Sequence, residues 1–142
     1  MLLLAIGTAV NAQQTYPQRP IRLIVPFAPG GASDFAARII AQALTEELKQ
    51  SIVIENKGGA AGNIGMEAAA KAAPDGYTLF FGNVGAISIN PSVFGSTLKV
   101  KPAEDFVPIS KVVDVPSVLV VNPDIPSSTV KEFVNYAKTQ KR

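Results

Sequence analysis

The chain has 142 residues, of which 47% are apolar and 17% are charged, a composition typical of a globular domain. Its 13 basic and 11 acidic residues give a net charge of +2 without a basic stripe, and Trp is absent, so we expect no nucleic-acid partner. The lack of Cys and His excludes disulfides, thiol nucleophiles, Cys/His zinc sites and a Ser-His-Asp triad within this chain. We expect no catalytic residue, no metal site and no cofactor.

The N-terminus carries a short apolar run, residues 2–10, followed by Val10-Asn11-Ala12, which resembles a small-residue cleavage site. The run is shorter than the roughly 20 helical residues that span a bilayer. This pattern predicts the back end of a secretory signal peptide over residues 1–12, with cleavage after Ala12. Basic residues before the run are missing, so the predicted signal is partial. We expect export and no stable membrane insertion.

The first regular unit is a predicted strand, loop and helix. Residues 23–25 form an apolar, β-branched run suited to a strand covered on both faces. Pro26 ends that strand, and Gly30 and Gly31 allow a tight loop with bare N–H groups. Ser33 or Asp34 is predicted to cap a helix over residues 35–50. Such a loop at a helix N-terminus is typical of anion sites, although a plain strand-to-helix connection would have the same pattern.

The unit then repeats. Residues 51–55 predict a second strand, residues 56–63 a Gly-rich loop and residues 64–73 a helix of small residues. A turn at Pro74-Asp75-Gly76 leads to a third strand over residues 77–82 and a polar loop over residues 83–86. This alternation predicts an α/β fold with a mainly parallel sheet and crossover helices. All three loops would lie at the carboxyl ends of the strands, where small molecules bind.

Later residues follow a different pattern. Residues 91–94 predict one helical turn, and residues 99–106 a polar connection. Residues 107–115 and 117–122 are strand-forming runs that Pro116 separates. Thr129 and Glu132 have the spacing of a capping box, which predicts the start of a last helix.

The chemistry of the loops favours binding over catalysis. The second loop fails both the dinucleotide fingerprint and the Walker pattern, so close packing of Gly62 and Gly65 on the sheet explains it better. Ser33 and Ser88 have no histidine to activate them. Backbone N–H groups in the first and third loops, with Ser hydroxyls and the Asn83 amide, are donors suited to a carboxylate. Arg38 could pair with an anion, but a solvated face explains it as well.

Four motifs in this order give the chain a family resemblance: IVPFAPGGASD at residues 24–34, ENKGGAAGNIG at 55–65, PDGYTL at 74–79 and INP at 89–91. From about Tyr16 onward the sequence resembles the tripartite tricarboxylate transporter substrate-binding receptors, the Bug-type or TctC-like proteins. The resemblance implies a periplasmic binding protein of the type II-like, two-lobed class that closes on a small organic acid. Its partners would be that acid and the membrane permease subunits of the transporter.

The resemblance also implies where the ligand carboxylate is held, namely by the loops after the first and third strands. The residues at those positions here are Phe27, Ala28, Pro29, Gly30, Gly31, Ser33, Asp34, Asn83, Val84, Gly85 and Ala86.

Family members are about twice as long as this chain. We therefore expect residues 13–111 to form lobe 1 without its returning strands, and residues 112–142 to form the hinge and the start of a truncated lobe 2. A truncated, inactive fragment of such a receptor is one alternative. An enzyme acting on a phosphorylated small molecule is another.

Overall fold

The computed structural model describes residues 16–116 and 118–140. The predicted signal peptide lies outside the described residues. The chain divides into two compact units, Met1–Ile109 and Ser110–Arg142.

The described part of the first unit has three strands and four α-helices, with short irregular turns between them. The strands are β1 (Ile21–Val25), β2 (Ile52–Asn56) and β3 (Thr78–Phe80). The helices are α1 (Ala32–Leu48), α2 (Asn63–Ala70), α3 (Asn90–Phe94) and α4 (Pro102–Asp105). A 3₁₀ turn at Ala60–Gly62 precedes α2, a π-helical turn at Gly85–Ile89 precedes α3, and a second 3₁₀ turn at Gly95–Thr97 follows it.

The sheet has the order β2-β1-β3 and is parallel throughout, which confirms the predicted fold class. In register, Val25 of β1 faces Asn56 of β2, and Ile24 faces Phe80 of β3. The loops that follow the three strands therefore start at one edge of the sheet. We call this the carboxyl edge.

The central strand is buried because both of its faces are covered. Leu23 and Val25 pack with Ala37 and Ala41 of α1, while a second cluster joins Met66 of α2 to other apolar side chains. The members of that second cluster are Met66, Ala86 and Val100, with Ala70, Phe80, Leu98 and Phe106 packed against them. A strand that is apolar except for the half-buried Arg22, and that lies between two layers of helix, is the pattern expected for a parallel sheet.

Several predicted bounds were wrong. Helix α1 begins at Ala32 and not at residue 35, because its first turn is set by the backbone at Gly31 and no side chain caps it. The third strand is only three residues long. Residues 99–106, predicted as a plain connection, contain α4 with Pro102 at its first position, where the missing N–H costs nothing.

The two predicted strands over residues 107–115 and 117–122 are also wrong for the described residues, since none of residues 107–116 and 118–122 is in a strand. Their valines are exposed, for example 88% for Val107 and 82% for Val120. A strand is stable only when its backbone groups pair with a neighbour, and β propensity alone does not supply one.

The second unit contains α5 (Val130–Thr139). The capping box predicted there is confirmed: the Glu132 N–H donates to the Thr129 hydroxyl at 3.2 Å, and the Thr129 N–H donates to the Glu132 carboxylate at 3.2 Å. These two bonds satisfy backbone groups that every helix start leaves without an intrahelical partner. In the part of the chain that the structure describes, no helix is long and apolar enough to cross a membrane.

Candidate functional site

The first loop, residues 26–31, leaves the sheet where β1 ends. Pro26 is fully buried beneath it, whereas Ala28, Pro29, Gly30 and Gly31 are exposed. Gly30 has φ +86°, a conformation that residues with a Cβ rarely adopt, so the tight path of this loop needs glycine there. The loop therefore presents mostly backbone to the surroundings.

Asp34 fixes the shape of this loop from below. Its side chain is 4% exposed, and one of its oxygens accepts the Gly30 N–H at 2.9 Å. The Asn56 side chain donates to the other oxygen at 2.9 Å and to the Phe27 carbonyl at 3.1 Å. One carboxylate and one amide thus bind both ends of the loop to the end of β2.

Arg38 completes this cluster. Its Nε and Nη2 donate to the two carboxylate oxygens of Asp34 at 2.9 and 3.2 Å. The hydrogen bonds from Arg38, Gly30 and Asn56 hold the pKa of Asp34 at about 2, below its usual range. The same pair raises the pKa of Arg38. The sequence left two interpretations of Arg38, an anion partner or part of a solvated face. In the structure Arg38 pairs with Asp34, and its side chain is 57% exposed.

The cap predicted at Ser33 or Asp34 is therefore wrong, because Asp34 lies inside α1 and turns its oxygens toward the loop. No side chain caps α1, and the described part of the chain supplies no acceptor to the N–H groups of Ala32 and Ser33. Such groups carry the positive end of the helix dipole. The N–H groups of Ala32 and Ser33 are therefore hydrogen-bond donors that a ligand at the carboxyl edge could use.

The third loop is shorter than predicted, because helical structure begins directly after Asn83. The Asn83 side-chain oxygen accepts the Ala86 N–H at 2.9 Å, and its carbonyl accepts the Ile87 N–H at 3.0 Å. Val84 is 69% exposed at the start of this turn, and Ala86 is buried beneath it. Asn83 thus acts through its oxygen as a cap, and the N–H groups of Val84 and Gly85 have no acceptor within the described residues.

The second loop joins the other two by close packing, as predicted for Gly62 and Gly65. A Cβ added at Gly62 would lie 3.4 Å from the side chains of both Pro26 and Ala86. A Cβ added at Gly58 would lie 3.3 Å from the Ala28 nitrogen. The three loops therefore form one continuous surface at the carboxyl edge.

Sequence reasoning missed three buried or half-buried amides that organise this surface: Asn56, Asn63 and Asn90. Asn90, 4% exposed, donates to the Ala61 carbonyl at 3.0 Å and to the Asn63 side chain at 2.6 Å. The sequence signal for these amides was a polar residue at the carboxyl end of a strand or in a Gly-rich motif. That signal does not predict which residues, so distant in sequence, form hydrogen bonds with each other.

The charges near this edge are already paired. Lys57 forms an ion pair with Glu55 at 2.8 Å, as Arg38 does with Asp34. Among the residues that the structure describes, no group of three or more acidic residues could hold a metal ion. The edge thus offers backbone N–H groups and neutral polar side chains as its main donors.

Two depressions lie away from this edge. One, of about 460 Å³, lies at the opposite end of the strands beside Arg19, Arg22 and Tyr77. The other, of about 480 Å³, lies between α3 and α4 and is mainly apolar. Neither includes residues of the first loop, and we place the candidate site at the carboxyl edge because the unpaired donors lie there. The carboxyl edge forms one side of the candidate site.

A parallel three-stranded sheet with this edge is the fold of a type II-like lobe of a periplasmic binding protein. Two solved structures from Rhodopseudomonas palustris share it. MatC with bound malate is 35% identical, with a TM-score of 0.77 over 87% of this chain and 42% of that chain. A second protein, with adipate, is also 35% identical, with a TM-score of 0.74 over 89% of this chain and 42% of its own.

Residues 36–141 match the model of the tripartite tricarboxylate transporter family receptor, and the chain belongs to this family. Protein BugT of Bordetella pertussis is 43% identical over 140 residues, which cover 95% of this chain and 41% of BugT. The chain spans about two fifths of the length of the curated relatives that it matches. The resemblance inferred from the four motifs is confirmed.

Proposed function

We propose that this protein is an exported, periplasmic receptor that captures a small organic acid for a tripartite tricarboxylate-type transporter. The observation that carries the proposal is the carboxyl edge, where the N–H groups of Ala32, Ser33, Val84 and Gly85 follow β1 and β3 and have no acceptor among the described residues. Malate and adipate, named with two related structures, are both dicarboxylic acids. Partially charged N–H groups bind a carboxylate without a full countercharge.

In this proposal the ligand carboxylate takes its hydrogen bonds from the N–H groups of Ala32, Ser33, Val84 and Gly85. The other residues of the first and third loops shape the surface around it, because the Gly30 and Ala86 N–H groups are bound to Asp34 and Asn83. Those residues are Phe27, Ala28, Pro29, Gly30, Gly31, Asn83 and Ala86. Asp34 belongs to the site as support. Its carboxylate faces the protein, where Arg38 neutralises its charge and two neutral donors bind it, so it does not repel an acid bound above the loop. The membrane permease subunits of the transporter would receive the ligand.

The test is isothermal titration calorimetry of the 142-residue chain with malate, adipate and citrate. Ala32→Pro is the informative variant. It removes one N–H from the edge at the first position of α1, where proline is favoured. The preceding Gly31, at φ −83° and ψ 171°, already has the backbone that proline requires of its neighbour.

We expect Ala32→Pro to weaken binding about tenfold or more, as for the loss of one hydrogen bond to a charged group. Ala32→Ser keeps the N–H and is the matched control, expected to bind as the native chain does. If the proline variant and the native chain bind the acid with equal affinity, the carboxyl edge is not part of the binding site. Binding of nucleotides or sugar phosphates in place of organic acids would favour an enzyme of phosphorylated substrates.

A further inference from the structure

Two irregular segments meet beside the carboxyl edge. The first is a left-handed turn: Gly59, Ala60, Ala61 and Gly62 have φ values of +114°, +47°, +55° and +93°. Two of these four residues are alanines, whose Cβ makes the left-handed conformation unfavourable. Residues in such conformations persist only where the surrounding structure holds them, and they concentrate at functional sites.

The second segment is the π-helical turn at Gly85–Ile89, in which the Asn90 N–H donates to the Gly85 carbonyl five residues back. Turns of this kind are rare and poorly stable alone, since an α-helical arrangement competes with them. A change from π to α geometry would rotate residues 84 and 85 about the helix axis. Their N–H groups would then leave the edge.

The Asn90 side chain connects the two segments. Both hydrogens of its amide group are used, one on the Ala61 carbonyl of the left-handed turn and one on the Asn63 oxygen at the start of α2. Asn90 and Asn63 are 4% and 7% exposed, so water does not compete for these bonds. Gly62 of the left-handed turn also packs against Ala86 of the π-helical turn.

We propose that Asn90 is a positioning residue that holds the left-handed turn and the π-helical turn in one arrangement, and so keeps the Val84 and Gly85 N–H groups at the carboxyl edge. Asn90 is buried and touches no ligand in this account. Its effect on acid binding rests on the proposed function, but its effect on the two turns does not.

The experiment measures amide hydrogen exchange of the ligand-free 142-residue chain. Asn90→Ala is expected to speed exchange about tenfold or more at residues 62–63 and 86–87, whose N–H groups are hydrogen-bonded in the native chain, because the buried bonds that hold the two turns are lost. Exchange in β1 should change less. A uniform increase throughout the first unit, or an increase confined to α3, would overturn the proposal.

A second substitution separates positioning from simple packing. Ala61→Gly removes the left-handed strain without adding a contact, so Asn90→Ala/Ala61→Gly should recover much of the protection at residues 62–63. Ala43→Gly, on the exposed side of α1, is the matched control and should recover none. If Asn90 only fills space, neither glycine restores protection, and the proposal fails.

Should Asn90→Ala not fold, Asn63→Ala provides the same comparison, since it removes only the 2.6 Å bond. Exchange should rise at both turns by a smaller factor, and unchanged exchange would overturn the proposal. Titration with malate and adipate adds the binding arm. If the native chain binds neither acid, the proposed function fails while the exchange data still decide the role of Asn90.

Discussion

Asp34 shows how one side chain can fix the shape of a loop at the candidate site. Its carboxylate accepts bonds from Gly30, Asn56 and Arg38, so the loop above it is held by a charge that is neutralised inside the protein. A neutral side chain of the same size would keep some of these bonds but lose the ion pair with Arg38. The loop geometry therefore depends on the ionisation of a single residue.

This dependence predicts a specific response to pH. The pKa of Asp34 is about 2 in the folded protein, against about 3.9 in an unfolded chain. A carboxyl with a depressed folded pKa stabilises the fold fully above its unfolded pKa, and that stabilisation is lost as pH falls toward the folded pKa. Asp34→Asn should therefore melt below the native chain at neutral pH, and the gap should close between about pH 5 and about pH 2.

Thermal melts followed by circular dichroism across this range test the prediction. Glu47→Gln, on the exposed part of the same helix, is the control for removing a carboxylate in general. Its difference from the native chain should stay small at every pH. A gap for Asp34→Asn that stays constant down to pH 2 would show that the ion pair does not stabilise the loop.

At the scale of the elements, α2 reaches the sheet because Gly65 has no side chain. A Cβ there would lie 2.8 Å from the Lys57 carbonyl oxygen and 2.9 Å from the Pro26 Cα. Both are backbone atoms at the ends of β2 and β1, which cannot move aside as a side chain can. The approach of this helix fixes the distance between the first and second loops.

We therefore expect Gly65→Ala to lower the free energy of unfolding by about 1–3 kcal/mol, the usual cost of overpacking. Urea denaturation measures it. Gly31→Ala is the matched control, since its Cβ would lie 3.8 Å from the nearest atom and its φ is −83°. If both variants unfold at the same urea concentration, close helix packing is not what Gly65 provides.

The capping box of α5 makes a second prediction at this scale. Thr129→Ala removes the hydroxyl that accepts the Glu132 N–H, which should destabilise the helix by about 1 kcal/mol. Hydrogen exchange at residues 131–133 should accelerate accordingly. Thr139→Ala removes a hydroxyl at the other end of the same helix, one that donates to the Tyr136 carbonyl, and should leave those amides unchanged.

What the sequence predicts well is local. The central strand, the Gly-rich turns and the capping box each depend on neighbours within a few positions, and the parallel order follows from their alternation. The pairing of Asn90 with Asn63 spans 27 positions and that of Asn56 with Asp34 spans 22. No periodicity encodes such pairs, so the sequence predicted the loops of the candidate site but missed the side chains that support them. The strand predictions beyond residue 106 failed because strand formation requires a partner.

At the scale of the whole molecule, an apolar segment over residues 118–120 is exposed and is not packed into a hydrophobic core. Val118, Leu119 and Val120 are 77%, 62% and 82% exposed and lie outside any helix or strand. Unpaired N–H and C=O groups beside exposed valines are a template for pairing with another chain. The 142-residue chain is therefore expected to self-associate as its concentration rises.

Val118→Lys/Val120→Lys tests this expectation by analytical ultracentrifugation. Since burying one valine contributes about 1.5–3 kcal/mol, the double variant should weaken association at least about tenfold. Its melting temperature should change little, because both side chains are exposed. Ser92→Lys/Ser96→Lys adds the same charge at exposed polar positions and should associate as the native chain does. Equal weakening by both pairs would assign the effect to net charge and not to this segment.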